Sequence, residues 1–255
     1  MVNIFKQIAA VASDLKKCGP SFAYAGVTSK LRAHARVPLP GGGQATVRGR
    51  DSDFGTLRQV FRDQEYAILS DTHRRRVEAR YEAILAEGKT PVIIDAGANI
   101  GSAALWFRQQ YPQACVVAIE PDPGNAAILR ENAVEGIIAL EAAVGSEPGH
   151  VSVLPHARSW AIRTERADTG CPVVTVEQAA RQVTTGSLFI VKVDIEGFES
   201  DLFGSNLAWL DDPVAVYLEP HDWMTPGTSQ SFQAAFGERD FDVLMRGENL
   251  IYVRR

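Results

Sequence analysis

Residues Pro91–Gly101 read PVIIDAGANIG, a short apolar run that ends in an acidic residue and a glycine turn. The apolar run predicts a buried strand, and the glycines that follow it predict a tight turn into a helix. The same order of apolar run and helical stretch recurs further along the chain, in CVVAIEP, IIALEAAVG, LFIVKVDIEG and VAVYLEP. Strands that alternate with helices imply crossover connections, and the sequence therefore predicts an α/β fold with a mostly parallel sheet.

Two further segments complete this predicted sheet. The last two apolar runs, FDVLMR and NLIYVRR, are joined by Gly247-Glu248 and predict an antiparallel hairpin at the sheet edge. A polar stretch at 147–175 interrupts the alternation, and its two short alternating segments predict a hairpin or loop insertion.

The part of the chain before Pro91 has a different pattern. Residues 1–17 place apolar side chains at helical spacing and predict an amphipathic helix, whose apolar stripe we expect to pack on the body or on a second subunit of a homo-oligomer. A Gly- and Pro-rich stretch at 38–55 predicts a flexible turn or short hairpin, and two helical patterns follow it. We therefore predict an N-terminal helical or lid segment at 1–90 and a catalytic domain at 91–255.

Composition excludes several classes of protein. The chain has 255 residues, of which 45% are hydrophobic and 22% charged, as in ordinary globular proteins. A net charge of −5 argues against nucleic acid as a partner, because phosphate binding rests on clustered basic side chains. No apolar run approaches the roughly 20 residues of a membrane span, and the N-terminus lacks the order of a signal peptide. Three widely spaced cysteines indicate neither a disulfide framework nor a zinc site, and we expect a cytoplasmic protein.

The turn after the first predicted strand favours a cofactor that carries no phosphate. Ligands of open α/β sheets bind beyond the carboxyl ends of the strands, where Asp95, Gly97, Asn99 and Gly101 lie. Their pattern is G-x-N-x-G and lacks the G-x-G-x-x-G spacing of dinucleotide binders. The charge of Asp95 would repel a pyrophosphate and attract an ammonium or a sulfonium group.

The next strand end points to a nucleoside. Glu120 closes CVVAIEP at 23 positions beyond Gly97. A carboxylate at about this interval binds the ribose hydroxyls of an adenosine in open α/β sheets. The combination of strand, glycine turn, helix and second acidic strand end favours a nucleoside cofactor over an empty scaffold.

These motifs together resemble a known family. IDAGANIG, IEPDPGNAAILREN, EAAVG and especially VKVDIEGFE resemble the FkbM family of S-adenosylmethionine-dependent methyltransferases, from about Asp51 to the C-terminus. The resemblance implies the class I methyltransferase fold, a Rossmann-like sheet of seven strands with an antiparallel last strand. It also implies methyl transfer to a hydroxyl, commonly on a sugar, a glycan or a polyketide-type natural product.

The resemblance further implies roles for the residues of the cofactor pocket. Asp95, Gly97 and Asn99 are expected at the methionine end of the cofactor and Glu120 at its ribose. Ala143 and Val144, at the end of EAAVG, would present backbone groups to the adenine.

The later strand ends are expected to face the transferred methyl group. Transfer to an alcohol requires alignment of the reacting atoms and removal of the hydroxyl proton. His221 has an unperturbed pKa suited to a general base near neutral pH, and we assign it that role, with Glu196 and Asp194 positioning the acceptor. Glu196 is the alternative base if burial or a neighbouring carboxylate raises its pKa, or it could orient the imidazole. Lys192 lies two residues before Asp194 in its strand, and we expect it at the surface of the sheet without a functional contact.

Two features stay open at the level of sequence. Asp194, Glu219, His221 and Asp222 have the donor types of a Mg²⁺ or Mn²⁺ site, but sequence alone does not show that they converge, and metal binding is left undecided. The polar segment at 156–169 carries Arg158, Trp160, Arg163 and Arg166, which suit either contacts to a sugar or anionic acceptor or a solvated loop.

Two alternatives to a methyltransferase remain at this stage. One is a nicotinamide-dependent oxidoreductase or epimerase on a Rossmann sheet, against which the missing middle glycine and Asp95 argue. The other is a non-catalytic module that keeps the cofactor pocket, against which the intact DIEGFE and EPHD strand ends argue.

Overall fold

The computed structural model describes residues 2–155, 162–237 and 239–255. The chain divides into two compact units, Met1–Glu65 and Tyr66–Arg255. The second unit thus starts before the helical pattern around Val77, which the sequence-based division at residue 90 left in the front segment; that division stays a prediction.

The first unit packs two helices, a hairpin and a short helix. The predicted amphipathic helix is present, and the Gly-rich stretch forms a turn between two antiparallel strands. Asp14 is fully buried, and its carboxylate accepts hydrogen bonds from Arg58 and Arg62, which ties the first helix to the end of the unit. The elements are α1 (Val2–Cys18), α2 (Pro20–Thr28), β1 (His34–Pro38), β2 (Gln44–Arg48) and α3 (Asp53–Leu57).

The second unit contains the predicted alternation of strands and helices. Its helices are α4 (Asp71–Ala86), α5 (Ser102–Gln110), α6 (Pro123–Asn132), α7 (Val176–Ala180), α8 (Glu199–Leu202) and α9 (Thr228–Phe236). Its main sheet consists of β3 (Thr90–Ala96), β4 (Cys115–Ile119), β5 (Ile137–Leu140), β10 (Gly186–Val193), β11 (Ala215–Leu218), β12 (Phe241–Arg246) and β13 (Asn249–Arg254). The intervening strands β6 (Ala143–Val144), β7 (Gly149–Pro155), β8 (Ile162–Ala167) and β9 (Cys171–Val174) form a smaller sheet.

The main sheet confirms the predicted fold class. Within the described residues its seven strands have the order β5-β4-β3-β10-β11-β13-β12. The first five are parallel neighbours, whereas β13 runs antiparallel to both β11 and β12. The predicted terminal hairpin is therefore present, with β12 at the edge of the sheet.

The chain runs from β3 outward to β4 and β5 and later returns to the other side of β3 as β10. Strand order reverses at this point, and the diverging connections leave a crevice beyond the carboxyl ends of β3 and β10, where open α/β sheets bind their ligands. The apolar side chains of these strands are fully buried, because helices cover both faces of a parallel sheet. The core thus fixes the strand ends from which the site is built.

The described part of the polar stretch at 147–175 forms paired strands. β7 and β8 pair as an antiparallel hairpin, β9 pairs with β7, and β6 joins the edge of this smaller sheet in parallel with β9. Across the described ranges, none of the helices has the length and apolar character that a membrane crossing requires.

Candidate active site

The site begins where β3 and β10 come closest. Gly97 follows β3 with a φ of 74°, and a Cβ atom added there would lie 1.6 Å from the carbonyl oxygen of Asp194. Only glycine fits this approach, because any side chain would push the ends of the two strands apart. The first glycine of the DAGANIG turn therefore allows the ends of β3 and β10 to lie in direct contact at the base of the crevice.

The same turn is fastened to the end of β4. Asn99 adopts a left-handed backbone with a φ of 50°, and its amide donates a hydrogen bond of 2.8 Å to Oε2 of Glu120. Oε1 of Glu120 accepts a hydrogen bond of 3.0 Å from the amide of Asp122. Burial raises the pKa of Glu120 to about 7, although these backbone hydrogen bonds oppose the increase.

A pocket of about 530 Å³ lies over these strand ends. Its lining consists of apolar residues and of residues that accept hydrogen bonds or carry negative charge. The apolar lining comes from Ile119, Pro121, Ala142, Ala143, Val144, Ile195 and Phe198. The polar lining comes from Asn99, Glu120, Asn125, Thr164, Asp194 and Glu196, together with the backbone of Gly97.

A buried lysine holds the ends of β3 and β10 together. Lys192 lies opposite Asp95 in the sheet register, and its ammonium nitrogen is 3.1 Å from Oδ1 of Asp95 and 3.3 Å from Oδ2 of Asp194. It also donates a hydrogen bond of 2.8 Å to the carbonyl oxygen of Gly97. Burial would lower the pKa of Lys192, but Asp95 and Asp194 raise it above its usual value.

This finding corrects the expectation for Lys192. The sequence analysis placed its side chain at the surface of the sheet, yet the side chain is only 3% exposed. Alternation along β10 puts Lys192 and Asp194 on one face, where the register brings Asp95 beside them. The lysine balances the charge of the buried Asp95 carboxylate.

Beyond the lysine, four carboxylates surround one imidazole. His221 follows β11 and is buried, and its Nδ1 lies 2.6 Å from Oε1 of the fully buried Glu199. Nε2 of His221 lies 3.6 Å from Asp194, 3.7 Å from Glu219 and 3.8 Å from Glu196. These three distances exceed hydrogen-bond length, so Glu199 fixes the ring and Nε2 faces the carboxylates.

The crowding shifts the protonation of this cluster. Burial and the neighbouring Asp194 raise the pKa of Glu196 to about 8 and that of Glu219 to about 8. Burial alone would lower the pKa of His221, but its hydrogen bond with Glu199 and the other carboxylates raise it to about 9. Like charges at such short distances cannot all be present unless a cation or a proton joins them.

Glu196 also holds an uncommon backbone conformation. Its φ is 53°, in the left-handed region that non-glycine residues rarely adopt, and its buried Oε2 has no hydrogen-bond partner among the described residues. Non-glycine residues held in this region cost about 1–3 kcal/mol and cluster at functional sites. The DIEG turn thus holds Glu196 in an unfavourable backbone conformation in which its carboxyl group lines the pocket.

The structure brings most of the proposed site residues together. Of the seven residues expected at the cofactor, Gly97, Asn99, Glu120, Ala143 and Val144 line the pocket. Asp95 pairs with Lys192 and is absent from the described pocket wall, and Gly101 is the N-cap residue of α5. Asp194 and Glu196 line the pocket, and His221 contacts both of them from outside its wall.

Two site residues were missed or misjudged at the level of sequence. Glu199 is the last residue of DIEGFE, but an acidic residue in the first turn of a helix has an ordinary explanation. Asp222, by contrast, does not join the cluster, because it is exposed and accepts hydrogen bonds from Gly227 and Ser229.

Of the four residues singled out in the 156–169 segment, Arg158 and Trp160 lie outside the described residues, as does the side chain of Arg163. Arg166 forms an ion pair of 2.7 Å with Asp201.

Comparison with known proteins identifies the family. The sequence model described as Methyltransferase FkbM domain matches residues 95–239, more than half of the chain and the whole of the strand-end cluster. The chain belongs to the FkbM methyltransferase domain family, and it is an enzyme of the methyltransferase class. This membership decides against the oxidoreductase and the non-catalytic alternatives.

Individual relatives are distant. The chain is 26% identical over 199 residues to 2-O-methyltransferase NoeI of Sinorhizobium fredii (strain NBRC 101917 / NGR234), an alignment that covers 66% of this chain and 78% of NoeI. It is 26% identical over 151 residues to Methyltransferase 1 of Beauveria bassiana (strain ARSEF 2860), which covers 47% of this chain and 58% of that protein.

Among solved structures, the chain is similar to the methyltransferase FkbM from Methylobacillus flagellatus KT, with a TM-score of 0.44 and 13% identity over 64% of this chain and 43% of that chain.

Replacement of Lys192 by methionine should destabilise the second unit. Lys192→Met keeps the length of the side chain but leaves the buried Asp95 carboxylate without its cation, which costs about 3–5 kcal/mol for a broken buried pair. The free energy of unfolding is measured in urea by tryptophan fluorescence, because the tryptophans all lie in the second unit. Lys89→Met, which removes an exposed pair with Glu87, should change it by less than about 1 kcal/mol. Equal stabilities of the two variants would contradict the role given to Lys192.

Proposed function

We propose that this chain is an S-adenosylmethionine-dependent O-methyltransferase that methylates a hydroxyl group of a small molecule or glycan, such as a sugar or a polyketide-type natural product. The observation that carries the proposal is the pocket beyond β3, β4 and β10. It contains Glu120, a carboxylate placed to bind a ribose, and also Asp194 and Glu196, whose carboxyl groups are suited to proton transfer. The similarity to NoeI, a 2-O-methyltransferase, supports the choice of a hydroxyl acceptor.

The pocket has the donor set that the cofactor requires. Glu120 accepts hydrogen bonds from Asn99, Asp122 and, at 3.5 Å, Asn125, and a carboxylate with about four lone-pair sites keeps capacity for a ribose hydroxyl in the pocket. The buried Oδ1 of Asn99 has no hydrogen-bond partner among the described residues and suits the ammonium of the methionine end.

The charge of the wall favours a sulfonium over a phosphate. Glu120, Asp194 and Glu196 all contribute carboxyl groups to the pocket, whose described lining contains no basic side chain. A cationic group gains from these charges and a pyrophosphate would be repelled. The attraction first assigned to Asp95 thus falls to Asp194 and Glu196, since the charge of Asp95 is balanced by Lys192. Ala143 and Val144 belong to the apolar lining and would contact the adenine ring.

The residues near Asp194 would handle the acceptor. When bound, S-adenosylmethionine supplies a methyl group on a positively charged sulfur. Glu196, with an unpartnered buried oxygen in the pocket wall, would accept the proton of the acceptor hydroxyl. Nδ1 of His221 pairs with Glu199 and Nε2 faces the other carboxylates, so His221 is less suited to the role of base that the sequence suggested. We instead propose that His221 and Asp194 position the acceptor.

Cofactor affinity should depend on Glu120 and on pH. The Glu120→Gln variant should bind S-adenosylhomocysteine about 10–100-fold more weakly in calorimetric titration, because a hydrogen bond to a charged group contributes about 1.5–3 kcal/mol. The pKa of Glu120 is about 7, so its carboxylate is charged above that pH. Wild-type affinity should therefore fall between about pH 8 and pH 6, and that of the variant should change less.

The control for this titration is Glu131→Gln, on the exposed side of α6. It should leave the affinity unchanged, and NAD should not bind to any of the proteins. Equal affinities of wild type and Glu120→Gln would show that the ribose is held elsewhere.

Variants of the residues assigned to the acceptor should lose turnover but keep their affinity for the cofactor. Glu196→Gln should reduce transfer of labelled methyl to sugar or polyketide hydroxyls by about 100-fold or more, the usual contribution of an acid–base group. His221→Ala should reduce it by about 100-fold as well, because misplaced reacting groups can cost that much. Their affinity for S-adenosylhomocysteine should stay within a few-fold of wild type. The exposed Asp222→Asn should retain turnover, and normal turnover of both site variants would refute the assignment.

A further inference from the structure

We infer that Asp194, Glu219 and His221 form a site for one divalent cation of the Mg²⁺ or Mn²⁺ type at the acceptor end of the pocket. One ligand atom of each residue lies within 4.8 Å of those of the other two. Ligand atoms that share an ion at about 2.1 Å lie about 3–4 Å apart, depending on the angle at the metal. The distances of 3.6 Å and 3.7 Å from Nε2 of His221 to Asp194 and Glu219 fall within this span.

The orientation of the imidazole is an independent indication. The His221 side chain is 98% buried, and its Nε2 faces the two carboxylates at 3.6 Å and 3.7 Å, beyond hydrogen-bond length. Its other nitrogen is 2.6 Å from the buried Glu199. Histidines that bind metals commonly bond a carboxylate through the second nitrogen, which fixes the ring and its tautomer.

A bound cation would take the place of the protons that these crowded carboxyl groups otherwise hold. Asp95, Asp194, Glu196, Glu199 and Glu219 bring five carboxyl groups close together, and Lys192, the cation among them besides the His221 ring, already bridges Asp95 and Asp194. Two carboxylates and one imidazole are donors for which Mg²⁺ and Mn²⁺ are suited. A bound divalent ion would neutralise two of these charges.

The position of the site suggests its use, which rests on the proposed function. Asp194 lines the pocket beside Glu196, so an ion held there would border the acceptor end. Such an ion would stabilise negative charge on the acceptor oxygen while the hydroxyl proton moves to Glu196. Cofactor binding at Glu120 and Asn99 would not require it.

The test is Mn²⁺ binding to the metal-free full chain, followed by electron paramagnetic resonance and calorimetry. We expect one ion per chain in wild type, and affinity at least about tenfold weaker in Glu219→Gln and in Glu199→Gln, which loses the partner of the histidine. Asp222→Asn is the matched control, because Asp222 neighbours His221 but binds Gly227 and Ser229, and it should bind Mn²⁺ like wild type.

Two outcomes would overturn the inference: Mn²⁺ that does not bind to wild type below millimolar concentration, or that binds equally to wild type and Glu219→Gln. Binding of S-adenosylhomocysteine to the same metal-free samples is measured in parallel. If wild type binds Mn²⁺ but not S-adenosylhomocysteine, the proposed function alone is rejected. If wild type binds S-adenosylhomocysteine but not Mn²⁺, the cation site alone is rejected.

Discussion

The site depends on the buried ammonium of Lys192. It holds Asp95 at the end of β3 and Asp194 at the end of β10, and it bonds the carbonyl of Gly97 in the turn between them. Strand order reverses between β3 and β10, so their ends border the crevice. Without a cation here, two carboxylates would repel each other at the point where the absence of a side chain at Gly97 lets the strands approach.

The other polar side chains of the site come from the ends of the strands next to β3 and β10. The end of β4 contributes Glu120, which fixes the glycine turn through Asn99 and faces the pocket. The ends of β10 and β11 contribute the acidic cluster around His221. In the proposed function, cofactor recognition and acceptor chemistry rest on different strands of one sheet, and for this reason we expect their variants to have separable effects.

Much of this arrangement was predictable, because parallel strands place their ends at one edge of the sheet. The alternation of apolar runs with helical stretches, together with the turn residues, predicted the sheet and its terminal hairpin. The G-x-N-x-G turn and Glu120 predicted the pocket. Sequence could not decide what pairs with a buried charge. Lys192 and Asp95 meet through the register of β3 and β10, and Glu199 reaches His221 across 22 residues. The β6–β9 sheet likewise depends on pairings that alternation alone does not specify.

The central claim is that the crevice beyond β3, β4 and β10 binds S-adenosylmethionine and directs its methyl group toward the Asp194 cluster. A crystal structure of the chain with S-adenosylhomocysteine tests it most directly. The account predicts the ribose hydroxyls on Glu120, the adenine beside Ala143 and Val144, and the sulfur facing Asp194 and Glu196. A ligand bound outside this crevice, or with its sulfur directed away from Asp194, would contradict it.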